Sequence, residues 1–318
     1  MQTFQLKSQV GPIHCTLWLP KDEPRGVVQI IHGIAEYAAR YDDFAHFLTD
    51  RGFVVVGEDH PGHGHSVATR NELGYLTGGW METVRIVHAL YTKMRAEYPN
   101  IPYFMLGHSM GSFLLRTYLF TYHTDLTGAL ISGTGWMSRS MLQGGRLVCK
   151  EEAARLGEAN TSDLLQSIIF DNFNKKFAPN RTPYDWVCAN EVVVDDYARD
   201  PLCTWSPSIQ LCTEMIQGLI MIENKDNLSR MQKNLPVFFF SGQLDPVGNM
   251  GNGTLQAVHA FKQAGMTDVL VELYPYMRHE CLHEAGKEKV YGDVYSWMEQ
   301  KIRENRGKTH ASSNSCKL

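Results

Sequence analysis

Six short apolar runs, each bounded by glycine or polar residues, recur along the chain with longer amphipathic stretches between them. The runs lie at residues 27–31, 53–56, 103–106, 129–131, 237–240 and 269–273. Continuous apolar runs of this length are typical of strands that are buried on both faces of a parallel sheet. The pattern therefore predicts six strands of a parallel sheet.

The amphipathic stretches between these runs have the spacing of helices. The clearest stripe consists of Trp80, Val84, Val87, Leu90, Tyr91 and Met94. Strands that alternate with helices predict an α/β protein with a doubly wound sheet, whose ligand site lies beyond the carboxyl ends of the strands. Before the first run, the alternation of apolar and polar residues over 13–19 predicts one arm of an antiparallel hairpin.

One interval is too long for this alternation. About 100 residues separate the fourth run from the fifth, whereas a βαβ unit needs roughly thirty. The interval contains two helical stretches, at 162–177 and 207–222, and we expect it to form a cap over the active edge of the sheet. The predicted organisation is a core of residues 1–134 and 235–305, a cap of residues 135–234, and a disordered tail of residues 306–318.

Composition argues against several classes of function. The 30 Lys and Arg residues against 34 Asp and Glu residues give a net charge of −4, so we expect no basic face and no nucleic-acid partner. Neither a signal peptide nor a membrane span is predicted, because no apolar segment is long enough. The seven cysteines are scattered without a C-x-x-C pair, which favours reduced thiols and a cytoplasmic location.

A G-x-S-x-G motif at 107–111 gives the strongest chemical signal. It follows the third apolar run and precedes an apolar helical stretch at 113–120. In a strand, turn and helix of this kind, the central serine is exposed on a sharp turn at the end of the strand. Ser109 is therefore the expected nucleophile; the alternative is a glycine turn in which Ser109 only caps the helix.

A serine nucleophile needs a base and an acid that orients the base. Asp245 follows the fifth apolar run and His279 follows the sixth, which is the chain order Ser, Asp, His expected for this topology. We therefore expect Asp245 and His279 to complete a catalytic triad with Ser109. His283 is the competing base, but it lies further from the strand and beside Glu284, at the expected start of the last helix.

An oxyanion hole requires two backbone amides near the nucleophile. One belongs to the residue after the nucleophile, which is Met110, and the other to a loop after an early strand. His32, Gly33 and Ile34 directly follow the first apolar run, so the Ile34 amide is the expected second donor. The alternative is a plain turn between strand and helix.

Three histidines at positions 60, 63 and 65 lie beside Glu58 and Asp59, and these are residue types that bind zinc. A second cluster of such residues is missing from the sequence, and Gly62 and Gly64 suit a tight turn. We therefore expect neither a metal nor another cofactor.

Taken together, these motifs resemble the α/β-hydrolase superfamily, and within it the monoacylglycerol lipase and lysophospholipase-like group, which is also labelled serine aminopeptidase-like. The matching segments are H-G-x-x-E with R-Y at 32–41, D-x-x-G-x-G-x-S at 59–66, the serine motif, Asp245, and His279 with Glu280. The chain departs from the group at Tyr37, where histidine is common, and at Pro61, where arginine is common.

The resemblance implies an eight-stranded sheet with a cap inserted after the sixth strand, and a serine hydrolase without a cofactor that cleaves carboxylic esters such as monoacylglycerols through an acyl-enzyme. The expected partner is a small lipid-like acyl ester, with transient contact between the cap and a membrane surface. The terminal Cys316, Lys317 and Leu318 faintly resemble a peroxisomal targeting tripeptide.

Two other functions stay open on the sequence. A peptidase would bind a free α-amino group through carboxylates, for which Glu191, Asp195 and Asp196 in the cap are candidates. A ligand receptor would keep the hydrolase fold without fast turnover, although an intact triad argues against it.

Overall fold

The computed structural model describes the backbone of residues 1–315 and the side chains of residues 1–305. Its strands are β1 (Gln2–Ser8), β2 (Gly11–Trp18), β3 (Gly26–Ile31), β4 (Phe53–Glu58), β5 (Tyr103–His108), β6 (Gly128–Ser132), β7 (Val237–Gly242) and β8 (Val269–Tyr274). They form one sheet of eight strands in the order β1-β2-β4-β3-β5-β6-β7-β8.

Strands β3 to β8 run parallel to one another. Strand β2 pairs antiparallel with both β1 and β4, so the first two strands form the expected hairpin at one edge. The predicted α/β class, the eight strands and the mostly parallel sheet are confirmed. Because the parallel strands share one direction, the loops that follow β3, β5, β6, β7 and β8 meet at one edge of the sheet.

Eleven α-helical segments are labelled in chain order: α1 (Asp42–Thr49), α2 (Gly79–Glu97), α3 (Met110–Thr121), α4 (Arg139–Leu156), α5 (Asp163–Gln166), α6 (Asn172–Asn174), α7 (Glu191–Arg199), α8 (Ile209–Glu223), α9 (Lys225–Ser229), α10 (Asn252–Gln263) and α11 (Lys287–Ser315). A π-helical turn, Ser167–Asp171, joins α5 to α6. Short 3-10 turns lie at Ala38–Tyr41, Arg70–Glu72 and Lys175–Phe177.

The sheet has an apolar layer on each face, because side chains of a strand alternate between faces and helices cover both. On one face, Val27 of β3 packs in a cluster with residues of α2 and α3, among them Leu114. On the other face, Val28 packs with α1 and α11, among them Phe44 and Trp297. The central strands are therefore apolar at most positions; Gln29 of β3 is a buried exception, and its side-chain amide donates to Val87 O at 3.0 Å.

Strand β8 departs from this rule. Its sequence predicts burial on both faces, and this prediction is wrong: Leu270 is 48% exposed, and Glu272 is also exposed. The reason is its position at the edge of the sheet, where β7 pairs with one side only.

Helices α4 to α9 occupy the interval between β6 and β7. The predicted stretches at 162–177 and 207–222 correspond to the segment from α5 to Phe177 and to α8. Helices α4 and α7 were not predicted from the sequence. Along its 18 residues, α4 buries only Leu142, Cys149 and Glu152, so its sequence lacks a continuous apolar stripe.

The last helix, α11, continues to Ser315, beyond residue 305, where the sequence predicts a disordered tail. The disorder of residues 306–318 stays a prediction. Cys316, Lys317 and Leu318 lie outside the described residues. Within the described part of the chain, no helix is both long and apolar enough to cross a membrane.

Candidate active site

Ser109 occupies a sharp turn between β5 and α3. Its backbone has φ 54° and ψ −122°, a conformation that costs energy for a residue with a Cβ. The two glycines of the motif allow the turn to form: a Cβ on Gly107 would lie 2.4 Å from Gly111 O, and one on Gly111 would lie 2.0 Å from Ile31 O. The Ser109 side chain is therefore held at the carboxyl edge of the sheet.

Asp245 and His279 are joined by a hydrogen bond. His279 Nδ1 lies 2.9 Å from Asp245 Oδ1, and because an ionised carboxylate only accepts, Nδ1 carries the proton. Asp245 is fully buried and also accepts hydrogen bonds from Ser241 Oγ and the Val247 amide, each at 2.9 Å. These contacts fix the carboxylate, which in turn fixes the imidazole.

The loop after β6 contacts both Ser109 and His279. The Ser109 amide donates to Ser132 O at 3.0 Å, and the next residue, Gly133, has space for no side chain, because a Cβ there would lie 3.0 Å from His279 Cε1. The ring centroids of His279 and His108 are 4.6 Å apart. No hydrogen bond joins Ser109 Oγ to His279 within residues 1–305, and such bonds are often long in enzymes without substrate.

The electrostatics suit a base at this position. Burial lowers the pKa of His279, but the charge of Asp245 and its hydrogen bond outweigh burial, so the pKa of His279 lies above its ordinary value of 6.5. Burial lowers the pKa of the adjacent His108 far below that value. Of these two neighbouring imidazoles, His279 is the one that the site stabilises in the protonated form.

Two backbone amides flank Ser109. Met110 is the first residue of α3, so its N–H has no acceptor within the helix. The Ile34 amide makes no hydrogen bond to any described residue. The loop that carries Ile34 lies against Ser109, since a Cβ on Gly33 would lie 2.8 Å from Ser109 Cβ. Both amides are available to bind an oxyanion.

A buried ion cluster lies beside these groups. Arg40 binds Glu280 through two hydrogen bonds of 2.7 and 2.8 Å and donates to Glu36 Oε2 at 3.0 Å. Glu36 Oε1 accepts from the Gly33 amide and from Tyr41 Oη. In the sequence, Glu36, Arg40 and Tyr41 stand out only through the resemblance to a known family, because no local pattern connects residue 40 with residue 280.

The carboxylates of the cluster differ in proton affinity. Burial raises the pKa of Glu36 to about 7, against the opposing effect of Arg40. Burial has the same direction for Glu280, but Arg40 outweighs it and holds the pKa of Glu280 at about 2. Glu280 is thus the ionised partner of Arg40 at neutral pH.

His283, the competing base, points elsewhere. Its Nε2 lies 2.9 Å from Arg40 O, and its Nδ1 lies 3.4 Å from Glu280 Oε2. It is therefore bound to the ion cluster, whereas His279 is bound to Asp245.

The histidine-rich segment after β4 forms a tight turn around Asp59. The Asp59 carboxylate accepts hydrogen bonds from the amides of Ala38 at 2.9 Å and His65 at 2.8 Å. The ring of His60 stacks on that of His32 with centroids 3.8 Å apart. Among the described side chains, no group of three His, Cys, Asp or Glu residues has the arrangement of a metal site.

The cap carboxylates considered for a peptidase are paired with arginines. Glu191 lies 3.8 Å from Arg181, which also binds Asp195, and Asp196 lies 3.8 Å from Arg199. None of the three acids lines the cavity beside Ile34. These three acids are therefore not placed to bind an α-amino group in this cavity, although another carboxylate, that of Asp171, lines it.

A cavity of about 100 Å³ lies between the core and the segment that joins β6 to β7. Its walls combine apolar and aromatic side chains, among them Ile34, Phe170, Tyr184, Trp186 and Trp205, with the polar residues Asp171, Thr204 and Ser206. Gln166 also lines it, and Gln166 Oε1 is buried without a hydrogen-bond partner. The cavity therefore offers a buried acceptor without a partner, Gln166 Oε1, in a wall that is partly polar.

The chain is similar in sequence to lipases of other organisms. A family model described as serine aminopeptidase, S33 matches residues 22–286. The monoglyceride lipase of Rattus norvegicus is 32% identical over 295 residues, which cover 91% of this chain and 88% of the rat protein. The monoacylglycerol lipase of Mycolicibacterium smegmatis is 27% identical over 282 residues, or 89% of this chain and 91% of that protein.

A solved structure is similar over nearly the whole chain. The thermostable carboxyl esterase of Bacillus coagulans, solved in complex with glycerol, superposes with a TM-score of 0.88 at 27% identity. The match covers 95% of this chain and 98% of the esterase.

Proposed function

Because the chain belongs to the serine aminopeptidase, S33 family and is a carboxylic-ester hydrolase, we propose that it cleaves the ester bond of monoacylglycerols through an acyl-enzyme on Ser109. The observation that carries this proposal is the strained turn of Ser109 beside a His279 that is hydrogen-bonded to the buried Asp245. The lipase relatives and the esterase neighbour support the substrate class.

In the proposed mechanism, Ser109 Oγ attacks the carbonyl carbon of the ester while His279 Nε2 takes the hydroxyl proton. Asp245 stabilises the imidazolium that forms, because its carboxylate accepts the Nδ1 proton. The amides of Ile34 and Met110 bind the oxyanion of the tetrahedral intermediate. Collapse of the intermediate expels the alcohol, which takes the proton from His279, and leaves the acyl group on Ser109.

Water completes the cycle. His279 removes a proton from the water that attacks the acyl-enzyme, and the second tetrahedral intermediate uses the same two amides. Its collapse releases the carboxylic acid and restores the Ser109 hydroxyl. No cofactor is needed for this sequence of steps, because acid, base and oxyanion donors all come from the chain.

Gln166 is the proposed contact for the alcohol part of the substrate. Its Oε1 is a buried acceptor without a partner, and a monoacylglycerol carries free hydroxyl groups that can donate to it. A Gln166→Leu variant should lose preference for a monoacylglycerol over the methyl ester of the same fatty acid, measured as the ratio of the two kcat/KM values. An unchanged ratio would remove Gln166 from the proposal.

Residues 135–234 act, in this proposal, as a cap that touches a lipid surface. Among the described residues, this segment exposes the large apolar side chains Met141, Leu147, Leu164, Ile168 and Val192. Leu164 and Ile168 lie one helical turn apart on α5 and the π-helical turn that follows, so they share a face.

Sedimentation with phosphatidylcholine vesicles tests the lipid contact. The double variant Leu164→Ser/Ile168→Ser should bind vesicles several-fold more weakly than the parent. Leu255→Ser is the matched control, because Leu255 is similarly exposed, at 45%, but lies on α10, outside residues 135–234. Equal binding of all three proteins would contradict a role of the cap face.

A cytoplasmic location is part of the proposal. It is supported by the cysteines, since Cys15, Cys149, Cys188, Cys203, Cys212 and Cys281 are all free and buried, as is usual in a reducing compartment.

The decisive experiment is a substrate panel with the parent protein and Ser109→Ala. The panel contains monoacylglycerols of several chain lengths, a lysophospholipid, p-nitrophenyl esters and an aminoacyl anilide. Removing Ser109 should reduce kcat by roughly a millionfold, and turnover of the parent should be highest with monoacylglycerols. Cleavage of the anilide alone would favour a peptidase, and retained activity in Ser109→Ala would refute the assigned nucleophile.

A further inference from the structure

Arg40 connects the two halves of the proposed catalytic machinery. On one side it binds Glu36, whose other oxygen accepts the hydrogen bond of the Gly33 amide. On the other side it binds both oxygens of Glu280, the residue directly after His279. Only these three side chains separate the oxyanion loop from the triad histidine along this path.

The link is buried. The side chain of Arg40 is 10% exposed, and those of Glu36 and Glu280 are 3% and 5% exposed. A bidentate arginine–carboxylate pair has a narrow geometry, and water cannot replace it easily at a buried position. The distance between the two carboxylates is therefore set by the guanidinium and changes little with solvent.

Further contacts join the same segments of the chain. Arg40 O lies 2.9 Å from Nε2 of His283, which belongs to the same loop after β8 as His279. The Glu280 amide donates to Val187 O of the cap at 2.8 Å. The Arg40 guanidinium also lies over the ring of Tyr197 at 4.9 Å, and Tyr197 Oη donates to Ala35 O in the oxyanion loop.

We propose that Arg40 is a positioning residue that, through Glu36 and Glu280, holds the oxyanion loop and His279 at the separation required by the transition state. The proposal rests on the roles proposed above for Ile34 and His279. In this proposal, Arg40 contacts neither the substrate nor Ser109. It acts only by holding Glu36 and Glu280 in position.

This role predicts a specific kinetic signature. The oxyanion forms only along the reaction path, so a displaced oxyanion loop weakens binding of the transition state more than binding of the ester. Loss of the link should therefore lower kcat while KM stays nearly constant. A purely structural ion cluster would instead lower the midpoint of thermal unfolding and leave kcat of the folded fraction unchanged.

A double-mutant cycle on kcat tests the link. Glu36→Gln and Glu280→Gln keep the shape of each side chain and remove its charge. Each variant should lower kcat by about 10- to 100-fold with KM within about threefold. Because both changes break the same connection, the double variant should be no slower than the slower single variant, whereas independent sites would multiply their effects.

Arg40→Lys completes the series. A lysine keeps the charge but cannot bind one carboxylate in a bidentate manner while it also binds the second. It should therefore have a kcat between those of the parent and the double variant. If Arg40→Lys fails to fold, the two near-isosteric glutamine variants still give the cycle.

The matched control is Asp268→Asn. It removes the charge from the 2.6 Å ion pair with Lys301, whose side chain is 7% exposed. Asp268 directly precedes β8, at the end of the strand opposite to the carboxyl edge. This variant should lower the unfolding midpoint without changing kcat. Multiplicative effects in the cycle, or kcat losses that Asp268→Asn reproduces, would overturn the role of Arg40; they would leave the nucleophile assignment intact, which fails only if Ser109→Ala stays active.

Discussion

The ring of Trp186 lies 5.2 Å from the ring of His279, measured between centroids. Trp186 is buried in a small apolar cluster with Val187, Cys188 and Val194. All four residues belong to the segment between β6 and β7. That segment therefore supplies the wall that covers the imidazole of the proposed base and limits the access of water to it.

Replacing Trp186 with alanine should damage both the cluster and the site. Loss of a buried Trp side chain costs about 3 kcal/mol of unfolding free energy, and it opens the cavity beside Ile34. We expect a lower midpoint in chemical denaturation and a several-fold higher KM for long-chain monoacylglycerols. Trp186→Phe, which keeps an aromatic wall, should stay close to the parent in KM; equal KM values in all three proteins would show that Trp186 does not touch substrate.

Asp245→Asn should keep the fold and lose most of the activity. The amide can still bond to the imidazole, but it can donate to Nδ1 and thereby favour the tautomer that cannot accept the Ser109 proton. We expect kcat on a p-nitrophenyl ester to fall by about 10⁴-fold. A decrease of less than tenfold in a cooperatively folding variant would contradict the role of Asp245.

The pH profile should have an acid limb above pH 6.5. Only neutral His279 can act as base, and its pKa is raised by the charge and the hydrogen bond of Asp245 despite burial. As the pH falls through that raised pKa, kcat/KM should decrease, because the free enzyme takes up a proton at His279. The measurement is kcat/KM of the parent between pH 5 and pH 9.

Two variants show whether the acid limb of the pH profile reports His279 or Glu36. In Asp245→Asn the limb should move to lower pH, because the charge that raises the pKa is gone. Glu36 has a pKa of about 7 and titrates in the same range, so Glu36→Gln is the necessary second comparison. A limb that disappears in Glu36→Gln and stays in place in Asp245→Asn would assign it to Glu36.

Gly33→Ala should lower kcat, whereas Gly144→Ala should leave kcat unchanged. A Cβ on Gly33 would lie 2.7 Å from Glu36 Oε1 and 2.8 Å from Ser109 Cβ, so the oxyanion loop has to shift. We expect kcat to fall by about a hundred- to a thousandfold, the cost of losing one oxyanion donor.

Gly144 is the matched control in α4. A Cβ there meets nothing within 4 Å, and alanine in a helix is more stable than glycine by about 0.5–1 kcal/mol. Gly144→Ala should therefore unfold at a higher temperature with unchanged kcat. Comparable activity of Gly33→Ala and Gly144→Ala would place Gly33 away from the reacting atoms.

Local patterns account for most of the sheet. The run at 103–106 and the motif that follows it predict β5, the turn and α3, because a buried strand, a glycine turn and an apolar helix each have a sequence signature. Helix α4 has no such signature, since most of its residues face solvent. The exposure of Leu270 in β8 also lacked a signal, because an edge position depends on the order of strands.

By itself, the sequence determined the α/β class, the hairpin, the interval between β6 and β7, and the candidates Ser109, Asp245 and His279. Each of these follows from residues close together in the chain. The tertiary structure decided which distant groups meet: His279 with Asp245 across 34 positions, Trp186 with His279, and Arg40 with Glu280 across 240 positions. Such contacts depend on how loops from different strands converge at one edge of the sheet, and no local spacing encodes that convergence.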